Sequence, residues 1–147
     1  MMDELMASAT TPMPLRLRQH QLVSMYQGLR ALELDESPTV HNWRVVSDCV
    51  NLFETLVEMG VVEDSSNLLT DAVHALGAAG ARHTKGGAIR LDGPGIKAVR
   101  ATLEDYAGIL EVVSHRTMVR CHRLTEKRIH EILLGKRRRH DVTICSI

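Results

Sequence analysis

DGPGIKAVRATLEDYAGILEVVSHRTMVRCHRLTEKRIHEILL, residues 92–134, is the stretch whose reading decides the fold. Ile96, Val99, Leu103, Tyr106, Leu110 and Val113 recur by three and four, which places them along one face of a helix. Asp92 ahead of Gly93 and Pro94 is a helix start: its carboxylate can accept from an otherwise unpaired amide, and proline has no amide to leave unpaired. Beyond Val113 the apolar seam slips and resumes through Met118, Cys121, Ile129 and Ile132, and Gly135 ends it. Read as one helix, residues 94–134 span about 60 Å. A domain of this length is roughly 40 Å across. Such a rod must kink, protrude or pair with a second subunit, and the slip near residues 114–117 marks the place for a kink.

Working outward from there, the rest of the chain reads as helix too. Leu22, Tyr26 and Leu29 mark a first helix over about residues 15–32. Ser37-Pro38 reads as the start of a second, running to Met59 with a seam of Trp43, Val46, Val50, Phe53 and Val57. Gly60 stops it in the left-handed conformation. A third begins near residues 64–66 and carries Leu69, Val73 and Leu76 into a small-residue run, residues 77–81, that favours close backbone packing. Gly86-Gly87 breaks the pattern, and residues 88–91 read as a short extended segment. The expected fold is all-α: a single domain over residues 15–135 built as a bundle of about four helices with one long C-terminal helix. The seams of helix two and the long helix are expected to meet antiparallel. Residues 1–14 read as a loose arm and residues 136–147 as a basic tail.

Composition agrees with helix packing. The chain of 147 residues has one Trp, one Phe and two Tyr, so its core must be aliphatic. No stretch reaches the length of a membrane span. The start has neither a basic nor an apolar run, so no secretory signal is expected there. Cys49, Cys121 and Cys145 are an odd number without paired spacing, which reads as reduced thiols and a cytoplasmic setting.

The formal net charge is zero, but its distribution is uneven. Residues 31–71 hold nine acids against Arg44, a balance of −8. Residues 116–140 hold nine bases against Glu126 and Glu131, a balance of +7. Arg116, Arg120, Arg123 and Lys127 are spaced 4, 3, 4 on a helix and share one face. Arg128 adjoins them, and Lys136, Arg137, Arg138 and Arg139 follow the helix end. A cationic row and a basic tail can track phosphates without reading bases. The competing reading is a solvated face that pairs with the acidic region, in the same chain or in a neighbouring subunit. No helix-turn-helix, zinc-finger or RNA-binding signature accompanies the row, and no aromatic residue lies within it to stack on bases.

Catalytic chemistry finds no such support. His115, Cys121 and His122 lack zinc spacing, and Cys121-His122 are turned about 100° apart on a helix. GGAIRLDGPGIK carries glycines and a lysine before a helix but not the phosphate-loop spacing. No catalytic residue, metal site or cofactor is expected. The segment RLDGPGIKAVRATLEDYAGILEVVSHRTM, residues 90–118, resembles a stretch of small uncharacterised helical accessory proteins carried by proteobacterial plasmids and phages. The resemblance implies an accessory role on a mobile element and brings no activity with it.

The expectation is therefore a non-enzymatic binding protein whose basic C-terminal face engages nucleic acid. The alternative is a protein–protein module, an inhibitor or scaffold, using the acidic helices. Apolar positions beyond Val113 on a protruding helix argue for a homo-oligomer, a dimer first of all.

Overall fold

The computed structural model describes residues 4–135 and is all-helical over them, apart from an isolated bridge between Pro12 and Ser114. After a 3-10 turn (Glu4–Met6) come α1 (Leu15–Leu34), α2 (Val40–Glu58), α3 (Leu69–Thr84), α4 (Gly93–Leu110) and α5 (His115–Leu133). Helices α1 to α4 form an up-and-down bundle in which each packs on the next and α4 returns to α1. Two pairings fix the directions. Gly28 of α1 sits against Asn42 and Val46 of α2. Gln21 and Glu33 of α1 meet Tyr106 and Arg100 of α4. Both α2 and α4 thus run antiparallel to α1 and parallel to each other, which corrects the antiparallel contact expected between their seams.

The core is the aliphatic one that the composition requires. Trp43, Val46, Val50 and Phe53 of α2 are buried, as are Val99, Leu103, Tyr106 and Leu110 of α4. The Trp43 indole N–H donates to the Leu76 carbonyl at 2.9 Å, so its polar edge is satisfied inside the core. Gly28 permits the close approach of α1 to α2: a Cβ there would lie 2.9 Å from the Asn42 carbonyl oxygen. Gly60 has φ +75°, the left-handed turn expected past the end of α2. The small-residue run lies inside α3, where Gly77, Ala79 and Gly80 are buried.

Three local expectations are corrected. Helix α2 starts at Val40 rather than Pro38, because Thr39 and Asn42 cap it reciprocally: the Asn42 amide donates to Thr39 Oγ1 at 3.1 Å and the Thr39 amide to Asn42 Oδ1 at 2.9 Å. Residues 88–91 form no strand; Ile89 and Leu91 bury their side chains in the core instead. The long helix is two helices. Asp92 caps the first as expected, accepting from the Gly95 amide at 2.6 Å. After Leu110 the chain turns through residues 111–114, and Ser114 caps the second, its Oγ accepting from the Thr117 amide at 3.2 Å. The break falls where the apolar seam slips. It resolves the conflict between a 60 Å rod and a compact domain, because α5 folds back across the C-terminal half of α2. Cys121 donates to the Leu52 carbonyl at 3.3 Å, and Thr125 Oγ1 lies 2.6 Å from Thr55 Oγ1. Met118 and Cys121, two of the apolar positions beyond Val113 expected to favour a second subunit, are buried within the same chain, Cys121 against α2.

Residues 4–14, expected to form a loose arm, are docked on α5. The His115 amide donates to the Thr11 carbonyl and the Arg116 amide to the Ser8 carbonyl, both at 2.8 Å. Ala7 is buried beneath them.

Candidate nucleic-acid interface

The face of α5 turned away from α2 is built by helical spacing alone. Met118, Cys121, Thr125 and Arg128 recur by three and four and are buried. Arg116, Arg120, Arg123 and Lys127 recur by four, three and four on the opposite side. Arg120, Arg123 and Lys127 are exposed and Arg116 is half-exposed. Arg120 and Lys127 form no ion pair among the described residues. His130 continues the row into solvent. The structure therefore brings together four of the expected cationic residues on one side of one helix.

Arg128 does not belong to that face. One residue past Lys127, it is rotated by about 100° around the helix axis and belongs to the buried stripe. Its side chain is 7% exposed. Nη1 lies 2.7 Å from Glu54 Oε1 and 3.6 Å from Glu58 Oε2, while Nη2 donates to the Asn51 carbonyl at 3.2 Å. Glu54 and Glu58 are one turn apart on α2 and converge on the guanidinium. This ion pair ties the basic segment to the acidic segment inside one chain, as the competing charge reading anticipated for the whole row. Arg128 is a structural residue. Spacing could have placed it: residues 118, 121, 125 and 128 form one helical stripe, and the cationic row takes the other.

Two members of the row have partners in the arm. Arg123 Nη1 lies 2.9 Å from Glu4 Oε2, with the arginine side chain 55% exposed. Arg116 Nε donates to the Glu4 carbonyl at 3.2 Å. Such an exposed ion pair contributes at most about 1 kcal/mol, so a stronger anion can replace it. The expected tail cations Lys136, Arg137, Arg138 and Arg139 lie outside the described residues.

A concavity lies beside α5. The backbones of α1 and α5 do not touch, although both border α2, and the trough between them encloses about 440 Å³. Cys49 and Leu52 line it together with His20, Asp48, His122 and Ile129. Its chemistry is quiet. Burial, reinforced by Asp48, pushes the Cys49 thiol up to about 12, and burial pushes Cys121 up to about 11. Both are thiols rather than thiolates at neutral pH. Among the described residues no group of three or more His, Cys, Asp or Glu side chains is placed to hold a metal ion.

Burial holds the His122 imidazole below its ordinary value, with Glu126 opposing the shift. A histidine whose pKa is lower in the folded state stabilises the fold above its unfolded value. That stability is lost as pH falls from about 6.5 through the folded value, because the unfolded chain takes the proton first. Thermal melting of the wild type should therefore decline between about pH 7 and pH 5 more steeply than that of His122→Gln. Equal declines would show that His122 is not held neutral by its site.

No protein-family model matches this chain, and no curated protein or solved structure matches it either.

Proposed function

We propose that this protein is a non-enzymatic binding protein that engages nucleic acid electrostatically through the outer face of α5. The observation that carries this reading is the segregation of charge on that helix. Arg116, Arg120, Arg123 and Lys127 line the side facing away from α2, while the cation that serves the fold, Arg128, is turned inward. The row is followed directly by Lys136, Arg137, Arg138 and Arg139 in the sequence. Cations at this spacing meet phosphates as point charges and carry no base-reading hydrogen-bond pattern, so the expected target is mixed-sequence duplex. The resemblance of residues 90–118 to accessory proteins of plasmids and phages fits a small regulator acting on such a target.

Charge reversal tests the reading without touching the core. Arg120→Glu combined with Lys127→Glu should weaken duplex binding by about 100-fold at low salt, because two attractive contacts become repulsive. The melting temperature should stay near that of the wild type, since both side chains are exposed. Undiminished binding by the folded double variant would move the site elsewhere.

The protein–protein reading predicts the opposite pattern. Its acidic surface is partly committed within the fold, since Glu54 and Glu58 face Arg128. Of the apolar positions beyond Val113 that argue for self-association, Met118 and Cys121 are buried in this chain, while Ile129 and Ile132 are half-buried.

A further inference from the structure

We propose that the N-terminal arm is a built-in competitor for the nucleic-acid face of α5, an inference that rests on the function proposed above. The arm places acceptors on the donors that a phosphate chain would use. The Glu4 carboxylate sits on Arg123, and the Glu4 carbonyl accepts from Arg116 Nε. The Ser8 and Thr11 carbonyls accept the Arg116 and His115 amides at the start of α5. Four donors on two turns of one helix are thus met by one strap of chain, and within its described residues, 4–14, Glu4 is the one acid.

The strap is held in a graded way. Near α1 it is anchored firmly: Met13 is buried, and its carbonyl accepts from Arg18 Nε at 2.8 Å. Ala7 is buried, and Ser8 Oγ accepts from the Thr10 and Thr11 amides at 3.2 and 3.0 Å, forming a local turn. Toward the other end the hold is electrostatic. Met6 is 79% exposed, and among the described residues Glu4 is held by an exposed ion pair and by its carbonyl, which accepts from Arg116 Nε and, within the turn, from the Ala7 amide. Among the described residues the 3-10 turn packs on α5 and on no other helix. An incoming polyanion need displace only the Glu4 end to reach Arg116 and Arg123, while the buried anchor keeps the arm tethered. The arm thereby raises the threshold for binding and favours densely charged targets over isolated anions.

Glu4→Gln removes the carboxylate that sits on Arg123 and leaves the backbone contacts of the arm intact, so it avoids the unfolding that deleting the arm could cause. Binding of a fluorescent mixed-sequence duplex of about 20 base pairs is followed by anisotropy, for wild type and Glu4→Gln, between about 50 and 200 mM salt. The expected result is binding about 3- to 10-fold tighter for Glu4→Gln at the lowest salt, with a slope of log affinity against log salt steeper by about one. Binding by Glu4→Gln alone would also support the proposal and would mean that masking is complete in the wild type. Equal affinity and equal slope would overturn the competitor and leave the binding function standing. No binding by either protein at low salt would overturn both.

Discussion

Replacing Arg128 with alanine should destabilise the protein by about 3–5 kcal/mol, enough to bring a domain of ordinary stability close to unfolding. The reason lies in what the substitution leaves behind. Glu54 and Glu58 are held one turn apart facing a guanidinium that is 7% exposed, and the Asn51 carbonyl accepts from its Nη2. Without the arginine, two carboxylates confront each other at the edge of the core and the α2–α5 contact loses its central cation. The effect belongs to the two carboxylates left facing each other more than to the pair itself, because a well-packed apolar replacement of a buried ion pair is often neutral. Arg128→Met combined with Glu54→Gln should therefore recover most of the loss. Denaturant unfolding of the single and double variants checks both statements. The repaired variant should bind duplex as the wild type does, since neither change touches the outer face of α5. A single variant with wild-type stability would mean that the ion pair does not hold α5 on α2.

Trp43→Ala should cost about 3–5 kcal/mol through the cavity it opens. Trp43 is 1% exposed, and its indole N–H pins the Leu76 carbonyl across the α2–α3 contact. Its neighbours on the same face, Val46 and Val50, are fully buried and cannot move to fill the gap without unpacking α2. Trp43→Phe should cost less, because the ring volume is mostly retained and only the indole hydrogen bond is lost. Equilibrium unfolding of the three proteins measures the order. A Phe variant as unstable as the Ala variant would assign the effect to the hydrogen bond rather than to packing.

The parts of this fold that could be read from residues alone are those set by local patterns. The α2 seam through Trp43, Val46, Val50 and Phe53 is a three-and-four repeat, and these residues form the core. Asp92 announced the start of α4 because a carboxylate ahead of Gly-Pro has one good use there. The break between α4 and α5 was harder to read. Neither glycine nor proline marks residues 111–114, and the local traces are the slip of the apolar seam after Val113 and the cap-forming hydroxyl of Ser114. What ends α4 is tertiary: α5 gains more by burying Met118 and Cys121 against α2 than by continuing as a rod. Two hydroxyls, Ser37 and Thr39, compete for the cap of α2, and the reciprocal bonds to Asn42 select Thr39.

The site shows the same division. Helical spacing gathered Arg116, Arg120, Arg123 and Lys127 correctly onto one side. It could not show that Arg128 meets Glu54 and Glu58, which lie some seventy residues earlier in the chain. Nor could it show that Glu4, near the start of the sequence, would reach Arg123. Both contacts depend on α5 folding back over α2, and neither the seam slip nor the Ser114 cap tells in which direction the second helix turns.

The claim on which the rest depends is that exposed cations of α5 and the segment after it meet phosphates. It is tested most directly by the salt dependence of duplex binding. Counterion release ties the slope of log affinity against log salt to the number of phosphates neutralised, at about −0.9 for each. Four cations on the described face and four in the segment that follows predict a slope between about −4 and −7. A slope flatter than about −1, or no detectable binding at about 50 mM salt, would contradict the account.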